Sequence, residues 1–60
     1  MDKLFHILYR VETMDGKCWR EWIPVIAESI DDAESFVWEQ LKSKYDLSET
    51  WTEQLEVLEF

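Results

Sequence analysis

Sixty residues with a formal charge of -8, nine aromatics and 47% hydrophobic side chains describe one small acidic domain with enough apolar surface to fold. One cysteine and one histidine exclude an intrachain disulfide and a zinc site of the Cys/His type, so a chain this short is expected to gain stability by self-association or from a partner. Residues 1–26 balance four acids against four bases, whereas residues 27–60 set ten acids against Lys42 and Lys44, the wrong sign for direct binding of nucleic acid.

Lys3 to Glu12 alternates, with Phe5, Ile7, Tyr9 and Val11 on one face and Leu4, His6, Leu8 and Arg10 on the other. That pattern predicts a strand, and Leu4 and Leu8 on its second face suggest a central one. Met14-Asp15-Gly16-Lys17 supplies a hairpin turn, with the only glycine placed to take positive φ. The returning strand, Cys18 to Glu28, carries Trp19, Ile23, Val25 and Ala27 on one face, interrupted by Glu21, and Arg20, Trp22, Pro24 and Ile26 on the other. Pro24 cannot donate to a ladder and assigns this strand to an edge.

Ser29 is the expected helix N-cap, with Asp32 completing a capping box and Asp31 and Glu34 also in the first turn, where carboxylates favour the positive end of the helix dipole. Ile30, Ala33, Val37, Leu41 and Lys44 follow the helical period, flanked by Phe36 and Trp38. DLSET at 46–50 reads as a loop and residues 51–60 as a third strand, with Trp51, Leu55 and Val57 inward and Thr52, Gln54, Glu56, Leu58 and Phe60 outward.

A right-handed crossover through the helix returns strand 3 parallel to strand 2, and with strand 3 beside the doubly apolar strand 1 the chain is an α+β domain over 1–60. It is a three-stranded antiparallel sheet in order 2-1-3, with one helix on one face, ββαβ. The other sheet face then gathers Leu4, Leu8, Trp22, Ile26, Leu58 and Phe60 with nothing to cover them, which predicts a homodimer seam or a partner-binding surface. Trp22 is the tryptophan expected to matter most there.

Glu28, Asp31, Asp32 and Glu39 fall on one outward helical stripe around Ser35, and Glu53 and Glu56 extend the charge on strand 3. Such a stripe can simply be a solvated face. It can also imitate a row of phosphates and occupy the basic groove of a nucleic-acid enzyme. No catalytic residue is expected: His6 lacks an oriented partner in sequence, Cys18 beside Trp19 reads as a half-buried small apolar residue, and Asp31 and Asp32 point about 100° apart on a helix. No cofactor or metal site is expected either. MDKLFHILYR lacks the apolar core of a signal peptide, and no membrane span is apparent, so the chain is expected in the cytoplasm.

The segment WIPVIAESIDDAESFVWEQ resembles the strand-to-helix joint of the short RNA polymerase inhibitors of T7-like phages. The shared features are the proline-containing strand, the Ala27-Glu28-Ser29 cap and the Asp/Glu-Ala-rich helix with Trp38 near its end. The resemblance covers about a third of the chain and implies a three-stranded sheet on one helix, and inhibition by binding a host polymerase. Strand 3 departs from it, carrying Glu56 and Glu59 where that family has basic residues. Acidic inhibitors of uracil-DNA glycosylase and anti-CRISPR proteins share the size and charge. The expected function is therefore that of a small phage-type inhibitor bound to the basic surface of a host nucleic-acid enzyme in the bacterial cytoplasm. The alternative is a homo-oligomeric assembly module whose acids serve solubility.

Overall fold

The computed structural model describes residues 1–60. Its elements are β1 (Lys3–Thr13), β2 (Cys18–Ala27), α1 (Ile30–Lys44) and β3 (Thr50–Glu59). The sheet order is β2-β1-β3 and both pairings are antiparallel, the ββαβ architecture expected from the sequence. β1 lies in the centre, and Pro24 sits on the β2 edge opposite His6.

The hairpin turn works through Gly16. The Thr13 carbonyl accepts from the Gly16 N–H at 3.0 Å, the Thr13 N–H returns to Lys17 O at 2.8 Å, and Gly16 takes φ 93°, a backbone region that a Cβ disfavours. The Asp15 carboxylate accepts from the Thr13 hydroxyl and so sits below its usual pKa.

Helix α1 starts at Ser29, whose Oγ accepts from the Asp32 N–H at 3.2 Å. The reciprocal half of the capping box is absent: the Asp32 carboxylate does not bond the Ser29 N–H, because Asp is one methylene shorter than the glutamate that normally reaches back. Ser29→Ala should accordingly cost about 1 kcal/mol, read as a lower urea midpoint, with Ser29→Asp close to wild type. An alanine variant of unchanged midpoint would show that the cap contributes nothing.

One face of α1 buries Ala33, Val37 and Leu41 against Phe5, Ile7 and Tyr9 of β1 and Ile23, Val25 and Ala27 of β2. Ile30 and Lys44, expected in the same stripe, are exposed, since the sheet lies beneath the middle turns of the helix. Tyr45 and Val57 pack at the margin of this core.

β3 departs from the expected alternation. Leu8 pairs with Glu56 but Tyr9 pairs with Gln54, so Leu55 is an extra residue, a β-bulge, and the strand changes phase there. N-terminal to the bulge, Thr50, Thr52 and Gln54 share the helix-side face with Thr13, Val11 and Tyr9. Trp51 and Glu53 share the open face with Glu12 and Arg10. Trp51 is thus 55% exposed and Leu55 39% exposed rather than inward, and of the three residues expected inward only Val57 is so placed. The phase change moves the Glu53 carboxylate off the helix side and brings in Gln54, whose Oε1 accepts from the Tyr9 hydroxyl at 3.2 Å. Burial, together with the nearby Glu34, raises the Tyr9 pKa and keeps that donor protonated.

Candidate functional site: two opposed surfaces

The charge is organised by ion pairing. Five of the six bases are engaged within the chain: Lys3 with Glu59, Arg10 with Glu12, Lys17 with Asp15, Lys42 with Glu39 and Lys44 with Glu21. Arg20 alone has no ion-pair partner, and nine of the fourteen carboxylates have none.

Three of those free carboxylates, Glu28, Asp31 and Asp32, come together at the start of α1, all exposed. Glu28 and Asp31 border a depression of about 280 Å³, which Glu59, held by Lys3 at 2.9 Å, also lines. Glu39 lies two turns further on and is partly neutralised by Lys42 Nζ at 3.4 Å. Glu53 and Glu56 do not join this surface. Their pairing with Arg10 and Leu8 places them on the sheet face away from the helix, so the six expected carboxylates divide between opposite sides of the molecule.

The open sheet face contains every apolar residue expected there. Leu4 and Leu58 are each 38% exposed, Trp22 45%, Ile26 65% and Phe60 68%, with Leu8 half-buried between its neighbours. Phe60 is tied back by its N–H to Leu4 O at 2.8 Å, and its ring meets that of His6 edge-on at 4.8 Å. The bulge adds Trp51 to this face, a residue that strict alternation places on the other side. Its signal in the sequence is weak, because neither phase of TWTEQLEVLE is consistently apolar.

The helix side holds the one dense polar cluster. Glu21, at the β2 edge, accepts from Tyr45 Oη at 2.7 Å, Trp19 Nε1 at 3.3 Å and Lys44 Nζ. Burial opposes its ionisation, but the bonds from Lys44, Tyr45 and Trp19 outweigh that penalty and hold the carboxyl below its ordinary value. This cluster fastens the end of α1 to β2. The Lys44 ammonium is correspondingly raised by its bond to Glu21.

None of the three surface depressions contains His6 or Cys18. Cys18 is exposed rather than half-buried, because it lies at the first position of an edge strand on the open face, level with Glu12. No cluster of three or more His, Cys, Asp or Glu side chains is arranged to hold a metal ion, and no helix is long and apolar enough to cross a membrane. Compared with known proteins, the chain matches no family model, no curated sequence and no solved structure.

Proposed function

We propose that this protein is a small acidic binding protein of the phage-inhibitor type. It docks the outer face of α1 on the basic surface of a nucleic-acid enzyme and blocks that surface. The observation that carries this reading is the sorting of charge. Internal ion pairs use up five of the six bases, and Glu28, Asp31 and Asp32 are left free and adjacent at the exposed start of α1. Free carboxylates on a rigid helix present negative charge without intramolecular competition, which is what a lysine- or arginine-lined groove attracts. The resemblance of residues 22–40 to phage polymerase inhibitors supports the same class of action.

The test is an affinity capture from bacterial lysate at low and high salt, with bound proteins identified by mass spectrometry. It compares the wild type with the triple variant Asp31→Lys, Asp32→Lys, Glu39→Lys. The expected result is a nucleic-acid enzyme that is lost with salt and with the variant. An unchanged far-UV circular dichroism spectrum separates this from unfolding. Capture that persists in the charge variant but disappears with Trp22→Ala would refute the helix face and move docking to the sheet.

A further inference from the structure

The open sheet face has a pattern that fits a second copy of this chain. Its residues occur in levels across the strands: Ile26, Leu4 and Phe60; Pro24, His6 and Leu58; Trp22, Leu8 and Glu56; Arg20, Arg10 and Glu53; and, beyond these, Cys18, Glu12 and Trp51. One end of the face is apolar and the other carries charge. At the charged end Arg20 on the β2 edge and Glu53 on the β3 edge flank Arg10 at the same height. Arg20 is the only base without an internal ion pair, and Glu53 forms none either, although its charge is felt by Arg10 beside it.

We propose that the protein forms a two-fold dimer through this face, with the axis parallel to β1 and lying between the two sheets. Such an axis exchanges the β2 side for the β3 side and preserves height along the strands. Each Arg20 then faces Glu53 of the other copy, Ile26 faces Phe60, Pro24 faces Leu58 and Trp22 faces Glu56, while Leu4, His6, Leu8 and Arg10 meet their own copies along the axis, each Arg10 neutralised by Glu12 of its own chain at 2.7 Å. A two-fold axis across the strands would instead lay the apolar end of one face on the charged end of the other. The parallel arrangement is the aligned packing that twisted sheets adopt, with strand directions within about 30° and roughly 10 Å between sheets.

The area is sufficient. Three strands about 4.8 Å apart and about ten residues long present roughly 500 Å² in projection, so a pair covers roughly 1,000 Å² before side-chain relief is added, which reaches the range of specific interfaces. The result is an α/β/β/α sandwich with the outer face of α1 displayed on both sides. This dimer is independent of what α1 binds.

Sedimentation equilibrium tests it with Arg20→Glu, Glu53→Arg, their equimolar mixture and the double variant in one chain. The wild type should sediment at twice its 7.3 kDa chain mass. Each single variant opposes like charges at both symmetry-related contacts and should dimerise at least about tenfold more weakly. In the mixture every contact joins opposite charges, so dimers return, and the double variant restores them within one chain. Circular dichroism verifies that each variant is folded. A wild type that remains at the monomer mass as concentration rises, single variants of unchanged association, or restoration in neither the mixture nor the double variant would overturn the proposal.

Discussion

Leu41→Ala should leave the protein largely unfolded at room temperature. Leu41 is fully buried on the inner face of α1, in one cluster with Val37, Ile23 and Val25. Truncating a buried leucine removes its transfer energy and leaves a cavity, together costing about 2–5 kcal/mol. A domain of this size without disulfides or metal rarely holds more than about 3–5 kcal/mol in total, so the loss is comparable with the whole stability. Far-UV circular dichroism and urea titration measure it directly. Phe36→Ala is the matched control: Phe36 is 51% exposed on the same helix, and its removal should shift the midpoint by no more than about 0.5 kcal/mol. If both variants unfolded at the wild-type urea concentration, the core assigned to α1 would be wrong.

Glu21→Gln should lower stability at neutral pH by about 1–3 kcal/mol, and the deficit should disappear in acid. The carboxylate accepts charge-assisted bonds from Lys44, Tyr45 and Trp19, and the amide retains at most part of that set. Its folded pKa lies below the ordinary 4.5. The stabilisation is therefore fully present above that unfolded value and is lost as pH falls through the lower folded value. Asp15 and Asp46, both also depressed by hydrogen bonds, add acid sensitivity of the same sign in wild type and variant alike. The difference between the wild type and the Glu21→Gln variant isolates the single group. Urea midpoints at pH 7 and pH 3 should converge at the lower pH, and a gap that stays constant would refute the assignment.

Much of the architecture is legible in the sequence because it rests on local rules. The alternation of Phe5, Ile7, Tyr9 and Val11, the Asp15-Gly16 turn, the Ser29 cap and the spacing of Ala33, Val37 and Leu41 each specify an element through backbone geometry and burial of one face. Pro24 on one strand and two apolar faces on another then fix which strand is the edge and which the centre, and the order β2-β1-β3 follows. The exposed apolar residues of the open face follow as well, since a single helix covers only one side of a sheet.

The division of the candidate surfaces was decided by tertiary structure. A bulge at Leu55 depends on how β3 meets β1, and no run within TWTEQLEVLE announces it, yet it sends Trp51 and Glu53 to the open face and brings Gln54 under Tyr9. Ion pairing depends equally on distance between elements. Glu21 and Lys44 are 23 residues apart in sequence, and only the return of α1 along β2 joins them. Periodicity along β1, β2 and α1 determined the fold, because the burial patterns of these three elements are local. The partition of the charges, and with it the separation of the helix face from the sheet face, arose from strand register and packing, which couple residues that the sequence keeps apart.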